Sequence, residues 1–393
     1  MKNGILRHLT FWKIIGAIIV GFGLYSTYLR VTLGLGATTN LSDNFPWGMW
    51  IGFDILCGVG LAAGGFIICA ISHIFHIKKY EPLIRPAILT AFLGYLLVIL
   101  GLLYDLGRPL DVWHAIIMWN THSVMFEVAW CVMLYTTVLF LEFSPIIFEK
   151  FKWNWLLNIV RKISTPIMML GILLSTLHQS SLGSLFLIIP TKMHALWWSP
   201  LLPVYFYLSA IGVGFSVIIF ESYLSARVFN KGLEMNLLTR IGLFSAIFIS
   251  VTFLIKLIDL TAYGKLGLIL ANTQESILFL AEILIGTLIP VAILLNKKLR
   301  ETTHWLYISA VFIIAGFMFN RLNVSITAIS GINNAGYFPS IYEIGVTMML
   351  VVLGMWAFGF AVKYFDVFPV EEFEENEEDE ILGPDQKELL AED

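Results

Sequence analysis

Charge is what this chain has least of. Asp, Glu, Lys and Arg make up 13% of its 393 residues, about half the share of a soluble globular protein. Hydrophobic residues reach 58%, so the deficit excludes a soluble domain and implies an all-α protein that crosses a bilayer many times. Cysteine is also scarce: Cys57, Cys69 and Cys131 lie singly inside apolar runs, with no CxxC or CxxCH. Neither an iron–sulphur cluster nor a covalent haem is therefore expected on this chain, and core packing accounts better for the three thiols. No local cluster of His, Cys and carboxylate has ligand spacing, so no metal site is expected. No nucleic-acid partner is expected either. The N-terminal MKNGILRHLTFWKIIGAIIV lacks a small-residue cleavage site and reads as a first span, not as a removed signal.

What is present is a series of long apolar runs. Ten are long enough to cross a bilayer, at 11–35, 47–76, 86–106, 122–147, 165–189, 201–226, 238–262, 274–296, 304–322 and 340–364. Lys and Arg crowd alternate connections: Lys2, Arg7 and Lys13, then Lys78, Lys79 and Arg85, then Lys150, Lys152, Arg161 and Lys162, and so on to Lys363. By the positive-inside rule both termini face the cytoplasm. A membrane domain of residues 1–370 is thus expected, followed by an acidic, solvated cytoplasmic tail at 371–393 that carries the chain's net negative charge.

Weak internal similarity recurs at an offset of 154. Pro46 pairs with Pro200, Gly58-Val59-Gly60 with Gly212-Val213-Gly214, and Asp105 with Asp259. Both copies start at the outer face, which predicts a parallel repeat. Two four-helix bundles follow, at 47–189 and 201–322, with one extra helix at each end.

The stretch PWGMWIGFDILCGVGLAAGGFIICA at 46–70 holds one carboxylate, Asp54, above a ladder of Gly and Ala. Small residues let helices approach closely. An ionisable residue inside a span is costly and marks a functional site by default. Asp105, Arg108, His114, His122 and Glu127 fall at a similar outer depth, with Trp47, Trp50, Tyr104, Trp113 and Trp119 nearby. His178, Lys256, Asp259, Glu275, Glu282 and Glu343 also fall in outer halves, whereas Glu142 and Glu221 sit toward the cytoplasm.

A quinone site needs an apolar slot, polar groups for the carbonyl oxygens and a group that takes protons. Trp47, Asp54, Tyr104, Asp105, Arg108, His114 and His122 are the candidates for it. Glu127, Glu142, Glu221, Asp259 and Glu282 are the candidates for proton transfer. Blander readings stand beside these: an interfacial aromatic belt for most tryptophans, and an Asp105–Arg108 ion pair closing a helix end. Glu127, like Asp54, is expected to be buried among apolar neighbours. A b-haem would need facing histidines, and His122 with His178 is the one pair at matched depth. An ion-coupled transporter is the rival class, but transporters break helices at the midplane, and the prolines here sit near span ends. A passive anchor leaves Asp54 and Glu127 unexplained.

The segments PWGMWIGFDILCGVGLAAGG (46–65), YDLGRPLDVWHAIIMWNTHSVMFEVAW (104–130) and HALWWSPLLPVYFYLSAIGVG (194–214) resemble the polysulphide reductase NrfD family of quinone-reactive membrane subunits. The likeness is closest to its ten-span branch, the HybB-type subunit of nickel–iron hydrogenases. That resemblance implies two four-helix bundles and a menaquinone or ubiquinone pocket near the outer face of a bacterial inner membrane. It also implies a periplasmic ferredoxin-like iron–sulphur subunit over the pocket, which alone holds the clusters, and hydrogenase small and large subunits, or those of another reductase, beyond it. No haem is expected.

Overall fold

A computed structural model describes residues 2–45, 47–74, 77–229, 232–333, 336–365 and 367. Pro46 and the acidic tail lie outside them. Among the described residues ten helices are long and apolar enough to cross a bilayer, matching the ten runs of the sequence. They are α1 (Lys2–Leu33), α2 (Trp50–Ser72), α3 (Ile84–Asp105), α4 (Val124–Phe151), α5 (Asn154–Leu185), α6 (Leu202–Phe229), α7 (Met235–Ala262), α8 (Gln274–Leu295), α9 (Thr303–Ser330) and α10 (Ile341–Tyr364). Among the described residues the only β pairing is an isolated bridge between Ser42 and Phe45.

Several boundaries differ from expectation, and the first helix begins at Lys2, not at 11. The fifth helix begins at Asn154, not at 165, because hydropathy registers only the part that crosses hydrocarbon. Its polar first turns continue the helix outside, where Arg161 pairs with Glu149 of α4 at 3.0 Å. The ninth runs past Leu322 through a π-helical turn, Asn323–Thr327. Further π-helical turns occur at Trp50–Ile55, Ala70–Ile74 and Leu284–Leu288. Such turns insert a residue into the helical ladder and recur at functional sites.

The helix α2 is the centre of the fold. In its most apolar window 83% of residues are buried, against 22% for α1 and 28% for α4, because α3, α5, α6, α9 and α10 all pack on it. Its glycines let the neighbours in. A side chain on Gly64 would meet the Gly214 carbonyl of α6, so these two helices touch backbone to backbone. The ladder also interrupts the helix: Ala63 N bonds Gly60 O and not Val59 O. The freed Val59 carbonyl accepts from Gln179 Nε2 of α5 at 2.9 Å, which satisfies a buried acceptor that would otherwise be costly. The helices α2 to α5 pack together, as do α6 to α9, while α1 lies along α10 and α10 against α3.

Candidate functional site

Three polar groups occupy this apolar frame. The first gathers around Asp54, which the π-helical turn of α2 places against Gly101 of α3. Asp54 is 9% exposed, and its Oδ2 accepts from Thr347 Oγ1 of α10 at 2.7 Å. Asp105 ends α3 within electrostatic reach of Asp54, Arg30 and Glu343, and its Oδ1 is buried without a partner. Tyr104 stacks at a tilt on Trp50, with ring centroids 5.8 Å apart, and its hydroxyl shares a hydrogen bond with Thr27 of α1.

The helix end above this group is closed by Arg30. Its Nε donates to Tyr104 O at 2.9 Å and its Nη2 to Leu106 O at 2.7 Å, covering carbonyls that a helix C-terminus leaves unpaired. The expected Asp105–Arg108 ion pair does not form. Arg108 lies beyond the turn, 89% exposed, and pairs with Asp111 at 3.3 Å. Glu343, fully buried, is satisfied by the Tyr337 hydroxyl, by Ser340 N and by Asn40 N in a capping box at the start of α10. Burial and the adjoining Glu343 carboxylate raise the Tyr337 hydroxyl far above its ordinary value, so it remains a donor.

The second group lies along α4 and α5. Glu127 is exposed on the chain, contrary to the expectation of burial. An apolar membrane helix presents similar residues to lipid and to its neighbours, so apolar company does not imply an interior position. Its Oε1 accepts from Ser181 Oγ at 2.5 Å. One turn along α5, His178 is fully buried with Nδ1 2.8 Å from the Tyr95 hydroxyl, and Tyr95 meets Tyr135 edge to face. Four side-chain atoms in this region are buried without partners: His178 Nε2, Tyr135 Oη, Ser175 Oγ and Glu221 Oε1. Glu142 adjoins Gly171, and Glu221 Oε2 accepts from Thr90 at 2.8 Å. His178 and His122 do not form a matched pair, because His122 is exposed in a connection. Of the other described histidines, His8 lies near the start of α1, His73 in the π-helical turn at the end of α2, and His114, His122, His194 and His304 in connections or at helix ends, so none comes from the middle of a neighbouring span. This does not fit a haem held between two histidines.

The third group is at the outer end of the second set of helices, where the sequence pointed to Asp259 and Glu282 as proton carriers and to Lys256 beside them. Glu282 takes four donors: Lys256 Nζ at 3.0 Å, Asn320 Nδ2 at 2.7 Å, and Trp197 Nε1 and Asn323 Nδ2 at 2.9 Å each. Its lone pairs are committed. A narrow cleft lined by Trp197, Phe206, Lys256 and Phe317 adjoins it. Asp259 is buried beside Tyr205, and burial lowers the nearby Lys265 ammonium, which donates to Trp198 O.

Among the residues predicted for a quinone, then, Asp54, Tyr104 and Asp105 come together. Trp47 packs edge to face on Phe186, and Arg108, His114 and His122 lie on the connection between α3 and α4. That connection is itself apolar on its surface, with Leu110, Trp113, Ile116, Ile117, Met118 and Trp119 all at least half exposed. Trp130 Nε1 ties it to α4 through Ala115 O at 2.9 Å. Arg30, Thr347 and Tyr95 are the additions that the fold makes. An arginine at a span end and a threonine or tyrosine within one carry no distinguishing sequence signal.

Residues 37–333 match the profile of the family described as "Polysulphide reductase, NrfD". A protein of Nitratidesulfovibrio vulgaris is 39% identical over 86% of this chain and 89% of its own. The probable Ni/Fe-hydrogenase 2 b-type cytochrome subunit of Escherichia coli is 34% identical over 86% of this chain and 88% of its own. The integral membrane subunit of the N. vulgaris menaquinone reductase is 27% identical over 92% of both.

Proposed function

The chain belongs to the polysulphide reductase NrfD family, and from that premise we propose that it is the quinone-exchanging membrane subunit of a respiratory oxidoreductase. The observation that carries the reading is Asp54. It is a buried carboxylate with a single hydrogen-bond donor, set in a π-helical turn at the centre of the fold, beside an Asp105 oxygen that has no partner. A carboxylate so placed can take and pass the protons that quinone chemistry releases. Tyr104 and Trp47 supply flat aromatic surface at the same end. The names of the relatives support menaquinone as the substrate, with ubiquinone as the alternative quinone, and a nickel–iron hydrogenase, or another reductase, as the complex.

The exposed apolar connection between α3 and α4 suits a docked subunit. The proposed partner there is a periplasmic ferredoxin-like iron–sulphur protein, with the catalytic subunits beyond it and His114, His122 and Arg108 at the contact. The charge bias of the loops supports a bacterial inner membrane location with both termini cytoplasmic.

Proton transfer is proposed to run from Glu127 through Ser181 toward His178, Tyr95 and Tyr135, and on to Glu142 and Glu221. The four orphaned polar atoms along it favour internal water, which would bridge the gaps. Glu282 is left out of this route because its lone pairs are committed, and Asp259 lies with it in the second set of helices.

Purification of the chain with its accompanying subunits from native membranes tests the proposal. A co-purifying quinone and an iron–sulphur subunit are expected. Absence of both would overturn it.

A further inference from the structure

The function proposed above makes no use of the acidic tail, and the described residues fix where that tail starts. Beyond α10 the chain is drawn inward. Phe365 packs edge to face on Phe143 of α4, with ring centroids 6.2 Å apart, and Val367 is fully buried. Val367 belongs to one apolar group with Ile88 and Leu89 of α3, Phe143 and Ile146 of α4 and Met168 of α5. A socket between three helices thus ties down the root of the tail.

A basic group stands directly outside that socket. Residues three, four or seven apart share one face of a helix. Arg85 is four residues from Leu89, Glu149 three from Ile146 and Arg161 seven from Met168, all toward the same end of the bundle. The side chains meet there: Arg85 Nη2 lies 3.3 Å from Glu149 Oε2, and Arg161 Nη2 lies 3.0 Å from Glu149 Oε1. One carboxylate serves two guanidinium groups. Lys150, Lys152 and Lys162 flank the pair and are exposed. Lys79 and Glu81, on the connection before α3, cancel in charge. The surface around the socket is therefore strongly positive.

The tail carries the complementary charge. Residues 371–393 hold twelve Asp and Glu against the one basic residue Lys387, and eight of the twelve fall in 371–380. Four residues separate Val367 from Glu371, a reach of about 14 Å at full extension. Arg85 lies one helical turn, about 5–6 Å, outward of Leu89, so the first carboxylates reach the group with slack. A segment tethered this closely meets its site at an effective concentration in the millimolar range. Single exposed ion pairs are weak, so the contact depends on several carboxylates sharing the group and is sensitive to salt. Anionic phospholipid headgroups have the same charge, but only the tail is covalently fixed beside this surface.

We propose that the acidic tail docks on the basic ends of α3, α4 and α5, its first glutamates answering Arg85, Arg161 and the three lysines. The inference does not rest on the quinone or proton residues proposed above.

Carbodiimide coupling read by mass spectrometry tests it, because the reagent joins a carboxylate to an amine in direct contact. The sample is the full chain with its accompanying subunits, in nanodiscs of phosphatidylcholine and of phosphatidylglycerol. Links from residues 371–380 to Lys150, Lys152 or Lys162 are expected in both lipids. Their yield should fall at least about fivefold at about 1 M NaCl, where the screening length is about 3 Å. Arg161→Gln, at an exposed position and with every lysine kept, should lower the yield about twofold or more. Links spread evenly over Lys79, Lys297 and Lys298, or no links at all, would overturn the docking. Links confined to phosphatidylcholine would overturn it in favour of anionic lipid on this surface. Links to an accompanying subunit alone would overturn it in favour of a partner for the tail. A yield in Arg161→Gln equal to wild type would overturn the part given to the guanidinium pair.

Discussion

Thr347 Oγ1 lies 2.7 Å from Asp54 Oδ2 and donates to it, joining the last spanning helix to the second across 293 residues of chain. A buried carboxylate that loses its only side-chain donor is costly, whereas an exposed one is not. Thr347→Val should therefore destabilise the protein by about 1–3 kcal/mol, and Thr347→Ser should restore it. The unfolding midpoint of the two variants in detergent checks this. Equal midpoints for Val and Thr would place Asp54 in contact with water.

Glu127 and Ser181 mark the entry of the proposed proton route. Glu127→Gln keeps the shape and removes the titration, so quinone-linked turnover in vesicles should fall by at least about a hundredfold. Ser181→Ala removes one hydrogen bond and should cost turnover only several-fold. A fall of the same size in both variants would indicate a structural role for the pair.

His194 sits on the connection before α6, where its Nδ1 accepts from Leu196 N and its own N–H bonds Ala328 O. Burial lowers its pKa below the ordinary 6.5, with Glu275 opposing in part. The folded protein therefore binds fewer protons here than the unfolded chain between that lowered value and 6.5. Stability from this group is complete above pH 6.5 and is lost as the pH falls through that window. His194→Asn should flatten that part of the profile, measured as unfolding midpoint against pH. An unchanged slope would assign the acid sensitivity to other groups.

Gly286 and Gly316 touch backbone to backbone where α8 crosses α9, so even one methyl has no room. Gly316→Ala should destabilise by about 1–3 kcal/mol, the usual cost of overpacking. Gly359, which has nothing near it, is the control: Gly359→Ala should be neutral or slightly stabilising. Thermal unfolding of the two variants side by side decides it.

The ten spans were legible because a helix in lipid must be apolar over a set length, and length is what a sequence displays best. Asp54 was legible for the complementary reason, as a carboxylate where none is expected. Its surroundings were not. Thr347 is an ordinary residue in an apolar helix, and nothing short of the packed fold brings it to Asp54. Arg108, three residues from Asp105, looked like its partner, yet the free carbonyls at the end of α3 recruit Arg30 from a different helix. The exposed position of Glu127 was hidden because lipid-facing and core-facing sides of a span have the same composition. The π-helical turns leave no compositional trace at all, although one of them carries Asp54 and another adjoins Glu282.

The most direct measurement of the central role given to Asp54 compares quinone-linked electron transfer in Asp54→Asn and wild-type complexes reconstituted in vesicles. Loss of turnover, with subunit assembly and unfolding midpoint retained, is the expected result. Full turnover in the variant would contradict the assignment of Asp54 to the quinone site.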